Sequence, residues 1–141
     1  MKQIKPKIEL FHGDERGEIY HLVMNKKRIS LLHTNKNCLR GADIHPHKQF
    51  DVVLKGKINF IERWEIGKIT TPMKAGDCIT IKEGNPHYFE SVTDSWVLEW
   101  WDGAFKSEYY EPFRRKVRSA INAKKKAKAD AEAEAKSKKN I

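Results

Sequence analysis

Three of the six histidines in this 141-residue chain stand at spacings that could do chemistry. In Leu39-Arg40-Gly41-Ala42-Asp43-Ile44-His45-Pro46-His47-Lys48-Gln49-Phe50-Asp51, His45 and His47 are two apart. On an extended strand, residues i and i+2 point to one face. Two imidazoles side by side suit a metal ion or a proton-transfer pair. Asp51 is four residues further on, an even offset that puts it on the same face of a regular strand. The third, His87, comes after Gly76-Asp77-Cys78-Ile79-Thr80-Ile81-Lys82-Glu83-Gly84-Asn85-Pro86, which reads as a strand, a tight turn and the entry to another strand. His12, His21 and His33 have no partner at ligand spacing and read as ordinary strand or surface residues.

Short strands must position these groups. Segments 18–24, 28–34, 49–56, 57–64, 77–84 and 95–101 are rich in β-branched and aromatic residues. Turn signals separate them, at Asn25-Lys26-Lys27, Gly41, Gly67, Ala75-Gly76, Gly84-Asn85-Pro86 and Thr93-Asp94. No gap has room for a crossover helix, so the pattern predicts an antiparallel sandwich or barrel over residues 1–111. The aromatics Trp96, Trp100, Trp101, Phe105, Tyr109 and Tyr110 read mainly as core and docking surface, with a sugar-stacking wall as the alternative.

Residues 112–141 read as a helix. Pro112 comes after Glu111 at a favoured first position, and Phe113, Val117 and Ile121 form one apolar stripe. Residues 112–121 are expected to dock on the barrel, and 122–141 to be solvated or frayed. The charge divides at the same place. The chain carries +9, but residues 112–141 hold eleven basic and three acidic side chains, leaving +1 on residues 1–111. The basic tail offers a route to nucleic acid, yet it lacks interleaved aromatics and a broad apolar face, so a solvated helix is the favoured reading.

A hydrophobic content of 39% argues against global disorder. No apolar run is long enough to span a membrane. The start, MKQIKPKIELF, shows no secretory h-region. Cys38 and Cys78 lack CxxC spacing and fit a reducing, cytoplasmic setting; Cys78, in an apolar strand pattern, is expected in the core.

The two histidine segments resemble the motifs of the cupin superfamily, G-x5-H-x-H-x(3,4)-E-x6-G and G-x5-P-x-G-x2-H-x3-N. Here they stand as His45-x-His47-x3-Asp51-x4-Gly56 and Gly76-x5-Lys82-x-Gly84-x2-His87-x3-Ser91. The resemblance covers roughly residues 14–103. It implies an all-β, antiparallel cupin-type barrel (jelly roll), followed here by the C-terminal α-helix. It also implies a divalent transition metal (Zn, Fe, Mn or Ni) held by His45, His47, Asp51 and His87, and a homodimer.

A narrower resemblance joins Asp14-Glu15-Arg16-Gly17-Glu18-Ile19 and Leu39-Arg40-Gly41, leading to His45-Pro46-His47-Lys48, with cupins of polysaccharide biosynthesis. These include the TDP-ketohexose 3,4-isomerases and capsule-assembly cupins, which carry an R-G-x-H-x-H-K core. It implies an isomerase or epimerase acting on a nucleotide sugar or similar small polar carbonyl compound. Proton transfer beside a carbonyl needs a base and an acid; His45 and His47 would serve, with Tyr88 as a phenolic partner. Arg16, Arg40 and Lys48 would bind the substrate, the two arginines gripping a diphosphate. The alternatives are a metal-dependent dioxygenase or lyase, and a cupin that binds a small ligand without turnover.

Overall fold

The structure is a computed structural model and describes residues 7–139. Residues 1–6, on which the no-leader expectation partly rests, and 140–141 lie outside the described residues. Eleven strands precede one helix: β1 (Lys7–Asp14), β2 (Gly17–Met24), β3 (Lys27–Thr34), β4 (Leu39–Ile44), β5 (Gln49–Lys55), β6 (Lys57–Trp64), β7 (Gly67–Lys74), β8 (Cys78–Ile81), β9 (His87–Ser91), β10 (Ser95–Trp101), β11 (Glu108–Tyr109) and α1 (Glu111–Lys139).

The strands make two sheets with antiparallel pairing throughout, ordered β1-β2-β3-β10-β5-β8 and β11-β4-β9-β6-β7. This is the jelly-roll barrel that the strand pattern and the motifs imply. Alternation along each strand sends one row of side chains between the sheets. In β5 the inward row is Gln49, Asp51 and Val53; in β9 it is His87, Phe89 and Ser91. At one end of the barrel Leu32, Val53, Ile58, Phe60, Met73, Ile81, Phe89 and Val97 pack into an apolar core. The other end holds a polar cavity.

Helix α1 starts at Glu111-Pro112 and covers the outer face of β4 and β9. Phe113 and Val117 are buried against Leu39, Ala42, Ile61 and Tyr88. Beyond Ile121 the helix continues to Lys139 with almost every residue exposed. No helix is long and apolar enough to cross a membrane. Cys78 departs from its expected place. It is exposed, because the edge strand β8 turns Ile79 and Ile81 inward and Cys78 outward; Cys38 is the buried thiol.

Candidate functional site

Strand β4 does not run straight through the histidine segment. Gly41 (φ 101°) and Ala42 (φ 77°) are both left-handed, and the pairing with β9 slips between Gly41 and Asp43. Such a conformation is costly for alanine. The bulge re-aims the residues C-terminal to it, and the strand ends at Ile44. His45, Pro46 and His47 therefore lie in a bend, and the two imidazoles do not share a face. His45 is buried and lines the cavity. His47 turns outward against Gly103, where a β-carbon would meet its ring at 2.7 Å.

The histidine that joins His45 is His87, with ring centroids 5.2 Å apart. Each ring is fixed by the main chain: Nδ1–H of His45 donates to the Lys106 carbonyl (2.8 Å), and that of His87 to the Asn85 carbonyl (2.9 Å). A carbonyl can only accept, so the neutral tautomer keeps its lone pair on Nε2. Burial lowers both pKa values, His87 to about 4, with the Asn85 contact opposing and His45 adding to the effect. Both rings are neutral at pH 7.

Asp51 lies behind Gln49 and does not reach the histidines. Gln49 Nε2 donates to Asp51 Oδ1 (2.9 Å) and Glu99 Oε1 (2.6 Å), while its Oε1 accepts from Trp101 Nε1 (3.2 Å). Asp51 and Glu99 are cross-strand partners. Burial pushes Asp51 up to about 7 and raises Glu99 well above the usual carboxylate range, with Asp51 adding to the latter. Two buried carboxyls side by side retain a proton.

The remaining candidates divide. Arg40 lines the cavity, 2% exposed. Arg16 lines it too, but its guanidinium is engaged by Asp14 at 2.7 Å. Lys48 is exposed on the bend and is not among the cavity-lining residues. Tyr88 points the other way, since β9 alternation sends it under α1, edge-on to Phe113 at 4.9 Å. That geometry removes it as a phenolic partner of His45.

Residues that the motif reading passed over also line the cavity: Asp43, Gln49, Glu99, His21 and Arg114. Two spacings in the sequence point to the first two. Gln49-x6-Gly56 has the spacing of the cupin E-x6-G, which Asp51 lacks. Arg40-Gly41-x-Asp43-x-His45 has that of R-G-x-H-x-H. In this register Asp43 replaces the first motif histidine and Gln49 the glutamate.

The donor set does not fit the expected metal centre. Gln49 has its amide engaged on both sides, His47 is outside the cavity and Asp51 is hidden. Among the described residues, no three His, Cys, Asp or Glu side chains gather in a group that could hold a metal ion.

The cupin domain family profile matches residues 35–102. No protein of curated function matches the chain. Among solved structures, the capsular polysaccharide assembling protein CapF from Staphylococcus aureus is similar at TM-score 0.63 and 16% identity, over 73% of this chain and 32% of that one. The E162A mutant of Bacillus subtilis oxalate decarboxylase is similar at TM-score 0.64 and 12% identity, over 78% of this chain and 34% of that one. The Drosophila melanogaster CENP-C cupin domain is similar at TM-score 0.56 and 15% identity, over 68% and 76%. The chain spans about a third of the length of the CapF and oxalate decarboxylase chains, and at these identities the likeness concerns the fold. The profile match, the two ordered motifs and the jelly-roll barrel together make residues 35–102 of this chain a cupin domain.

Proposed function

We propose that this cupin binds a small polar carbonyl compound, a sugar or sugar derivative, in the barrel cavity and moves a proton beside its carbonyl, as an isomerase or epimerase. The observation that carries this reading is the His45–His87 pair: two neutral imidazoles, each with Nδ1 anchored, lining one buried cavity. An anchored neutral imidazole is a competent general base. Glu99, raised by burial and lining the same cavity, supplies the acid. Because the donor set does not fit a metal, no step is routed through one.

The cavity measures about 170 Å³. A cavity of about 150 Å³ takes a benzene-sized guest, so there is room for one ring. In a nucleotide sugar, the nucleotide would stay outside.

The test is deuterium uptake in heavy water with TDP-4-keto-6-deoxyhexoses, free ketoses and keto-hexuronates. Exchange is expected with wild type, reduced about 10²–10⁴-fold in His45→Gln and unchanged in His47→Ala. No exchange with any of these substrates would overturn the reading.

A homodimer belongs to the same proposal. The edge strand β1 exposes Ile8, Leu10 and Phe11, and an apolar edge invites pairing. Sedimentation equilibrium should give a dimer that Leu10→Lys dissociates.

A further inference from the structure

Of the four arginines in the cavity wall, two have a buried donor to spare. Arg40 gives Nε to Thr34 Oγ1 and Nη2 to the His33 carbonyl, both at 3.2 Å. Its Nη1 is buried with no partner. Arg114, stacked over the Tyr109 ring at 4.2 Å, leaves its Nε buried and unpartnered. Neither forms an ion pair among the described residues. Arg16, in the same wall, shows the usual solution, its charge met by Asp14. A buried charge is ordinarily paired. Arg40 is held by two hydrogen bonds and keeps a third, buried donor unspent in the cavity wall, which is the form of a site awaiting an acceptor.

The acids in the cavity do not fill that role. Asp43 and Glu99 both line it, but neither lies within ion-pair distance of Arg40 or Arg114. Glu99 is already engaged by Gln49. Burial raises the pKa of both, which weakens their opposition to an anion beside the arginines. Aromatic side chains make up part of the wall, Phe11, Trp101, Phe105 and Tyr109 among them. A flat ring suits such a wall, and the 170 Å³ volume admits one.

We infer that the cavity is the binding site of a ring-sized organic carboxylate, with Arg40 as its anchor and Arg114 as a second donor. Guanidinium donors fit carboxylate geometry. The inference deepens the proposed function by giving the charge and size of its substrate. It rests on the cavity being a ligand site and is independent of whether a proton is transferred there.

Isothermal titration of the full chain with benzoate, benzamide and inorganic phosphate tests it. Benzoate and benzamide share shape and differ in charge. The expected result is one benzoate per chain, bound at least tenfold tighter than benzamide and tighter than phosphate. Arg40→Met should weaken benzoate tenfold or more, leave benzamide unchanged, and leave the melting temperature equal or higher, since it removes an unpaired buried charge. A guanidinium kept for structure would instead lower the melting temperature.

Should Arg40→Met fail to fold, Arg114→Gln is expected to weaken benzoate alone, and the wild-type preference still decides. Equal binding of benzoate and benzamide, tighter binding of phosphate, or no binding of either ring overturns the inference. Benzoate bound selectively by a protein that exchanges no deuterium with any of those keto sugars would leave the inference standing and sink the proton-transfer reading.

Discussion

The two ends of the barrel are built on the same strands and the same inward rows, yet they hold opposite chemistry. Along β5 the row runs Gln49, Asp51, Val53; along β9, His87, Phe89; along β10, Trp101, Glu99, Val97. Midway through the interior, polar side chains give way to Phe60, Ile58 and Met73. Backbone geometry cannot account for this, since the alternation is common to both ends. The apolar end removes hydrocarbon from water. The polar end buries Arg40, three histidines, Gln49 and Asp51 with several hydrogen-bonding atoms unspent, an arrangement that stability alone does not favour. One end holds the barrel together, and the other is shaped for a ligand.

The largest effect that could break this comparison is a truncation in the apolar end. Phe60 is fully buried, stacked on Phe89 and close to His87. Phe60→Ala should destabilise the fold by about 3–5 kcal/mol through lost transfer energy and a residual cavity, read by urea unfolding. Arg40→Met, at the polar end, should cost nothing measurable. Equal losses at both ends would mean that the polar end is structural after all.

Next in size is the pH dependence of the polar end. His87 is neutral in the fold, with a pKa lowered from 6.5 to about 4 by burial. The unfolded chain takes up that proton first, so stability falls as pH drops from about 6.5 to about 4, by about 3 kcal/mol. Asp51 works in the other direction. Its pKa is raised from 3.8 to about 7, so the unfolded chain releases that proton first and stability falls as pH rises across that window. Asp51→Asn keeps an acceptor for Gln49 and replaces the shared proton with an amide donor toward Glu99. It should raise stability at pH 8 by about 1–2 kcal/mol and leave pH 5 nearly unchanged. Thermal melts from pH 4 to 9 would show both limbs, with His87→Gln flattening the acid one. An acid limb unchanged in His87→Gln would remove this residue from the account.

The fold was legible because its signals are local. Alternating β-branched segments, Gly-containing turns and the Pro112 start are each readable within a few residues. Strands β1, β4, β7 and β9 were less so: β4 carries Arg40, Gly41 and Asp43 where alternation would place hydrocarbons, and β7 carries Pro72, a residue that signals a break, within its run. The site was legible in part. Its two segments are conspicuous, but the same-face rule for His45 and His47 assumes a straight strand, and the bulge at Gly41-Ala42 with Pro46 breaks that assumption. The fixed distances Gln49-x6-Gly56 and Arg40-Gly41-x-Asp43 carry the register, because they count residues between a turn glycine and the cavity floor. His21, Glu99 and Arg114 reach the cavity from distant strands and from the helix, a convergence that no local spacing announces.

The smallest expected effect separates the barrel from the exposed helix. The +9 charge of the chain resides almost entirely beyond residue 111, and α1 contacts the barrel through its first turns, at Phe113 and Val117, with Ala120 and Ile121 packed alongside. Beyond these, Lys124, Lys125, Lys126 and Lys128 are held on a helix whose stability comes from alanine propensity and from pairs such as Lys138–Glu134, at 3.3 Å and exposed. Such a pair contributes little. Ending the chain after Asn122 should therefore shift the melting temperature by less than about 2 °C and leave benzoate binding unchanged, while abolishing retention on heparin at low salt. Val117→Ala, at the docked end, should cost more than the whole truncation. If instead the truncation lowers ligand affinity, the helix beyond residue 122 is coupled to the cavity, and the division between a ligand-shaped barrel end and a passive basic appendage fails.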